Sequence, residues 1–447
     1  MTIRFVVFAI VAALVSPVSS RAQERVSLQD AISGTLANNP DLRAARAGQR
    51  ESDARVREAR SSYLPRVDFV ESWQRGNNPV FVFGSLLSQQ RFSAANFAVE
   101  ALNHPDALTN YHSAFSVDQP LFDSSRLAGI RSARIGSELA KATVTDAEAG
   151  LALDATRAYG DVLLANANRA AALAAVATAR EDLARAERSR DVGMVTEADV
   201  LSLRVHLAQM QEREIRAGSG EQVATAFLNR LMGAPLDRTL ILAEPAAAAV
   251  AAPPIEDSER AALRDRASLA RATAQVSLAE TARAAAHQAF LPQVFVQGVY
   301  ELNGHTFGDR ASSWMIAGQA RVNLFAGGGD VARLRAATEA ASRARAERES
   351  AETGIRLDVR TARAQLDAAA AREAVGRAVV LQARESQRII RDRYEAGLAS
   401  VNDILRAANA LLDAESLRIS AIVDLMVARG AFDRAVGKLP SGSQQRP

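Results

Sequence analysis

The sequence predicts a mainly α-helical chain carrying four β-strands of membrane-barrel type, laid out as two copies of one unit. Three observations predict it. Gly193, Asp199 and Gly233 recur as Gly397, Asp403 and Gly437, each 204 residues on, and the text around them matches, as in SYLPRVDF (62–69) and AFLPQVFV (289–296). None of the 13 prolines falls between Pro120 and Pro235 or between Pro292 and Pro440. Two short segments in each half alternate apolar and polar side chains. Self-similarity at one fixed offset marks a duplicated unit, which the fold has to respect.

At the start, residues 1–22 hold Arg4, an apolar run from Phe5 to Val15, Pro17 and a Ser20-Arg21-Ala22 end. This is the pattern of a secretory signal peptide. The first repeat then runs over 23–233 and the second over 259–437. The Ala/Pro-rich residues 234–258 are expected to link the repeats, and 438–447 reads as a disordered tail.

Two segments per repeat read as strands. Val294, Val296, Tyr300 and Leu302 alternate with Gln293, Gln297 and Glu301, and Trp314, Ile316, Ala320, Val322 and Leu324 alternate with Ser313, Gln319, Arg321 and Asn323. Tyr111, Phe115, Val117 and Leu121 alternate with His112, Ser116 and Asp118, while Val67, Phe69 and Trp73 alternate less cleanly with Arg66, Asp68 and Ser72. A period of two over about ten residues fits a strand that is apolar outward and polar inward. Trp73, Tyr111, Tyr300 and Trp314 lie in these strands, where an aromatic girdle against outer-membrane lipid is expected. Between the first two strands, residues 76–110 form an insertion of about thirty residues, expected as an outer loop: its apolar VFVFGSLL fits a folded cap or a recognition epitope, and a simple packed Ω-loop is the preferred reading.

Long helices follow each strand pair. From Ser124 to Arg190 and from Asp330 to Arg393 nothing interrupts a helix, whereas an internal proline would cost about 3 kcal/mol. At 1.5 Å per residue each runs roughly 100 Å. Their apolar positions are mostly alanine, which lets neighbouring helices approach closely, and Arg and Glu supply solvated pairs on the outer faces. Gly193 and Gly397 stand where a helix-ending glycine belongs, and Thr196 and Ser400 are good caps for the returning helices.

Composition narrows the function. Removing the leader takes away Arg4 and Arg21, leaving a formal charge of +1, and the balanced charges give no reason to expect nucleic acid as a partner. With no cysteine there is no disulfide, thiol chemistry or lipidated cysteine anchor. No run of 18 apolar residues follows the leader, so closed β-structure is the expected route into a membrane. Four strands cannot close a barrel, since single-chain outer-membrane barrels begin at about eight. The chain is therefore expected to oligomerise.

The tip segments VGMVTEADV (192–200) and YEAGLASVNDIL (394–405), with the duplicated order of two strands and very long helices, resemble the TolC family of outer-membrane efflux and secretion channels. The resemblance spans residues 26–438. It implies a homotrimer whose twelve strands, four per chain, form one outer-membrane barrel continued by a long α-helical barrel through the periplasm. It also implies a periplasmic adaptor (membrane fusion protein) and an inner-membrane pump as partners, with docking tips at Gly193, Met194, Val195, Gly397, Leu398 and Ala399. A periplasmic gate or constriction is implied at Asp199, Asp403, Tyr394 and Arg406. In the family pattern the second tip carries an Arg two residues after the Gly and a further Asp three residues after the first; here Ala399 and Arg406 stand there. Arg406 is expected either to turn inward toward Asp403 or Asp199 or to face solvent, and the two aspartates to act either as helix caps or as an acidic mouth.

Other chemistry finds little support. The five histidines do not pair at metal-ligand spacing, Gly327–Gly329 is not followed by the Lys of a phosphate loop, and no nucleophile–base arrangement is evident. No enzyme, cofactor or metal is expected. The expected function is a passive duct for small-molecule efflux in the Gram-negative outer membrane. The alternatives are the duct of a type I protein secretion system and, from another class, a periplasmic coiled-coil adaptor or scaffold.

Overall fold

The computed structural model describes residues 25–191, 195–243 and 253–438. The expected signal peptide, the expected docking residues Gly193 and Met194, the middle of the expected linker and the expected tail from 439 on lie outside the described residues. In chain order the elements are α1 (Leu28–Asn38), α2 (Pro40–Ser61), β1 (Arg66–Gly76), α3 (Pro79–Ser88), a 3₁₀ turn (Ala94–Phe97), α4 (Val99–Asn103), β2 (Leu108–Phe122), α5 (Ser124–Asp191) and α6 (Glu197–Leu231). They continue with α7 (Ile255–Asp265), α8 (Ala267–Gln288), β3 (Gln293–Gly304), β4 (Ala311–Arg321), α9 (Gly329–Glu395) and α10 (Val401–Val436). The order helix, two strands, two long helices thus occurs in 40–231 and again in 267–436.

The two compact units of the chain do not follow the expected repeat boundaries. Among the described residues, one comprises 38–153, 253–371 and 428–438, the other 25–37, 154–191, 195–243 and 372–427. The long helices are the reason, since α5, α9 and α10 each run through both.

The first unit contains an antiparallel sheet in the order β1-β2-β3-β4. Its register pairs Trp73 with Tyr111, Phe115 with Phe69 and Tyr300, and Tyr300 with Trp314. The outer edges of β1 and β4 carry no further strand among the described residues. The long helices and their partners leave the sheet at one end, where α2 enters β1, β2 feeds α5, α8 enters β3 and β4 leads to α9, while the short α3 and α4 lie between β1 and β2 at the other. Asp123 caps α5, its carboxylate accepting from Ser125 N at 2.9 Å. β4 stops at Arg321, short of the expected Leu324, because its last partner is Gln293 and the ladder ends there. Gly327 and Gly328, at φ +61 and +80, then turn the chain into α9. The insertion is more regular than an Ω-loop: it folds into α3, the 3₁₀ turn and α4, and Phe83, Phe92 and Phe97 stack edge to face with centroids 4.8 and 5.1 Å apart.

The core of the second unit centres on a tyrosine among aliphatic side chains. Ala31, Ala158, Tyr159, Val162, Leu228, Leu231 and Met232 form a buried cluster. The Tyr159 hydroxyl lies 3.0 Å from the Val26 carbonyl and 2.6 Å from that of Ala243, so its one proton is shared between two chain segments. Val26 itself pairs with Leu242 in a short parallel bridge. Next to the tyrosine, a Cβ on Gly160 would stand 2.6 Å from Val423 Cγ1, so α5 and α10 pack closer here than alanine allows. One composition-based expectation needs correcting: α5 contains an 18-residue window of mean hydropathy 1.3, long and apolar enough to span a bilayer. Alanine produces that value in this alanine-rich helix. Only 22% of the window is buried within one chain, as expected of a helix that awaits lateral neighbours.

Candidate functional site at the helical turns and the sheet

Each long helix is reversed by a turn whose chemistry is local. α9 ends in Gly397 at φ +73, with Gly397 N donating to Tyr394 O at 2.9 Å and Leu398 N donating to Arg393 O at 2.8 Å. This double bond pattern satisfies two of the carbonyls that a helix end leaves open, and the left-handed backbone explains the glycine. Ser400 then starts α10: its hydroxyl and backbone N–H lie 2.7 and 3.0 Å from the Asp403 carboxylate, and Asp403 N donates back to Ser400 Oγ at 3.3 Å. Thr196 and Asp199 make the same reciprocal box at the start of α6, with the hydroxyl 2.7 Å from the carboxylate. The Ser400 N–H, followed by its hydroxyl, holds the Asp403 carboxyl below its ordinary range.

The bases of the two turns share one small core. Ala186 of α5, Val200 and Leu203 of α6 and Val401 of α10 are buried together, with Leu183, Tyr394 and Leu405 against them. The structure therefore brings together both capped turns and Tyr394. Burial first, and then the charges of Asp199 and Asp182, raise the pKa of the Tyr394 phenol. His206, buried on α6, is pushed down by desolvation, with Asp182 opposing. Arg406 is exposed and makes no ion pair with Asp199 or Asp403 among the described residues, both carboxylates being occupied by caps. Leu398 is 69% exposed, with Ala399 beside it. Sequence reasoning missed Arg185, which bonds Asp182 at 3.0 Å on its own helix and Glu395 of α9 at 3.2 Å. The partners stand 210 residues apart, a separation unrelated to the repeat, so no pattern pointed to them.

The sheet sorts its side chains by chemistry. Val67, Phe69, Trp73, Tyr111, Phe115, Val117, Val296, Tyr300, Leu302, Trp314 and Ile316 share one face by register, and Trp73, Tyr300 and Trp314 are 60, 44 and 74% exposed. The other face carries most of the polar residues, Asp68, Ser72, Gln74, Asn110, His112, Ser116, Asp118, Gln297, Glu301, Asn303, Ser313 and Gln319, with Val70, Phe295, Val299 and Met315 among them. A sheet with one apolar, exposed face and one polar face suits lipid on one side and water on the other. The four expected girdle aromatics all lie on the apolar face, in two rows four residues apart. Between those two rows the same face carries Glu71 opposite Ser113, which bond each other and Arg310 of the β3–β4 turn; the Arg310 guanidinium carbon stands 3.8 Å from the centre of the Phe307 ring.

Comparison with known proteins agrees with this arrangement. Residues 31–234 and 260–438 match the family described as outer membrane efflux protein. The chain belongs to that family. Among curated proteins it is 25% identical over 417 residues to the alkaline protease secretion protein AprF of Pseudomonas aeruginosa, covering 90% of this chain and 82% of that one. Among solved structures it is similar to a membrane protein from Pseudomonas aeruginosa, with a TM-score of 0.78 and 19% identity over 92% of this chain and 93% of that chain. It is equally similar in fold to the CmeC outer membrane channel of Campylobacter jejuni, with a TM-score of 0.78 and 16% identity over 94% of this chain and 87% of that chain. As a member of the outer membrane efflux protein family, the chain is a TolC-like outer-membrane channel extending into the periplasm. It is the duct of a tripartite export system, working as a trimer with an adaptor and an inner-membrane pump.

Proposed function

We propose that the trimer is a passive conduit for small-molecule efflux, catalysing no reaction of its own, with the pump choosing the cargo. The observation that carries this reading is the two-faced sheet with open edges on β1 and β4. Unpaired backbone in lipid costs several kcal/mol per group, so the sheet calls for other copies around a water-filled bore. In this reading the turns at Val195 and at Gly397, Leu398 and Ala399, together with Gly193 and Met194, dock the adaptor. Asp199, Asp403, Tyr394 and Arg406 line the periplasmic constriction. Trp73, Tyr111, Tyr300 and Trp314 anchor the sheet in lipid, and the sequence divides functionally into repeats at 23–233 and 259–437.

A second reading, a duct for a secreted protein, is favoured by the likeness to AprF, a protease secretion protein. Disrupting the gene separates the two. Increased susceptibility to several unrelated toxic compounds with an unchanged set of secreted proteins supports efflux; loss of one protein from the culture medium with unchanged susceptibility replaces it with secretion.

A further inference from the structure

The insertion between β1 and β2 is docked on the polar face of the sheet, at the strand ends remote from the helices. Gln89, at the end of α3, donates through Nε2 to the Thr109 carbonyl at 2.9 Å and to Asn110 Oδ1 at 3.0 Å. Asn110 donates to Asn303 Oδ1 on the neighbouring strand at 2.9 Å, and His112 Nδ1 lies 3.0 Å from that same oxygen. Gln89, Asn110 and Asn303 are 5, 7 and 3% exposed, so the contact is a buried polar seam rather than a surface touch. Two further observations agree. Gln90, the only non-glycine with positive φ among the described residues, holds φ +54, and its side chain lies 3.4 Å from the Ser312 carbonyl. A Cβ on Gly76, which belongs to the polar face, would lie 3.9 Å from the Phe81 ring of α3.

Polar networks that satisfy several buried amides at once fix one arrangement, since separating them strands donors and acceptors away from water. The insertion is therefore held against the face that lines the bore, and its own aromatic cluster of Phe83, Phe92 and Phe97 gives it a folded body rather than a flexible strand of chain.

We propose that residues 77–107 form an inward-folded collar that sets the bore of the channel at its cell-surface mouth, with three copies in the trimer, and so fixes the largest solute that passes there. The proposal rests on the outer-membrane duct described above and adds to it the size-selecting element. It places selection at the outer end through fixed geometry, independent of the helical turns at the periplasmic end.

The cysteine-free chain permits a direct test on intact cells. Gln319→Cys puts a thiol on the polar face near the helix-ward end of β4, and Asp309→Cys puts one at the exposed rim, where the native side chain is 81% exposed. Each is treated from outside with a small maleimide and with a polyethylene-glycol maleimide of several kilodaltons. Rim labelling by both reagents establishes the cell-surface topology; its absence overturns the duct reading itself. Given rim labelling, the collar predicts that at Gln319→Cys the large reagent reacts many-fold more slowly than the small one. Replacing residues 79–104 by a short Gly/Ser linker is expected to remove most of that difference. Asn110→Leu combined with Asn303→Leu, which breaks the seam while keeping the insertion, is expected to reduce it, and this pair decides if the shortened chain does not run as an unheated trimer. Equal rates for the two reagents with the insertion in place, or a size difference that survives both changes, overturn the collar.

Discussion

Arg185 of α5 bonds Glu395, the last residue of α9, at 3.2 Å, and so ties the two long helices together near their ends. Both side chains are about half exposed, at 40 and 53%, so water and salt screen the pair. Such pairs contribute about 0.2–1 kcal/mol. Arg185→Ala is expected to leave trimer yield intact while raising passive leak of a bulky antibiotic through the duct, and the leak is expected to rise in wild type as ionic strength increases. Unchanged permeability in both cases removes this pair from the closing mechanism.

The aspartate caps give a separate prediction. Asp199→Asn with Asp403→Asn keeps hydrogen-bonding side chains at the helix starts but removes six charges from the trimer. If the carboxylates line a narrow constriction, whose low-dielectric walls focus their field, the cation preference of the purified trimer falls. Reversal potentials in a salt gradient measure it. An unaltered preference leaves the two residues as caps alone.

Acid acts on the same cap. Because Ser400 lowers the carboxyl of Asp403 in the fold, the contribution of Asp403 is fully present above the ordinary carboxylate pKa of about 3.9 and is lost as pH falls through the depressed value. Hydrogen exchange at the start of α10 is expected to accelerate below about pH 4, beyond the intrinsic pH effect. Ser400→Ala is expected to flatten that dependence and to cost about 0.5–2 kcal/mol of local stability.

Gly397 and Gly160 separate two uses of glycine. Nothing lies within 4 Å of a Cβ on Gly397, so Gly397→Val strains only the backbone of an exposed turn, and export is expected to fail with trimer yield preserved. At Gly160 the backbone is ordinary but Val423 and Met426 fill the space, so Gly160→Val overpacks the interface of α5 and α10. A loss of about 1–3 kcal/mol is expected there. Trimer recovery and thermal melting of the two variants, set beside export assays, test the distinction.

Much of this fold was legible in the sequence because its causes are local. A run without proline is sufficient for α5 and α9, alternation is sufficient for β1 to β4, and Thr196 with Asp199 or Ser400 with Asp403 announce a helix start within four residues. The failures share the opposite property. Residues 79–103 fit a folded cap and a packed loop alike in the sequence, because their placement depends on Gln89 meeting Asn110 and Asn303, the last of these drawn from the other half of the chain. The expected extension of β4 to Leu324 overlooked that a strand lasts only as long as its partner. At the turns, the sequence leaves Arg406 either turned toward Asp403 or Asp199 or facing solvent; the caps occupy both carboxylates and Arg406 is exposed, while Arg185 bonds a partner on another helix that no sequence pattern pointed to.

The sheet order β1-β2-β3-β4, antiparallel throughout, has a consequence for how copies join. With an even number of strands, the two edge strands of one chain run in opposite directions. When β4 of one copy meets β1 of the next in a head-to-tail ring, the seam is therefore antiparallel like every internal pair, and the hydrogen-bond ladder passes from copy to copy without a change of pattern. A unit of three or five strands would have forced a parallel seam at every junction. Parity alone thus makes the boundary between chains indistinguishable, at the level of backbone pairing, from the interior of each chain.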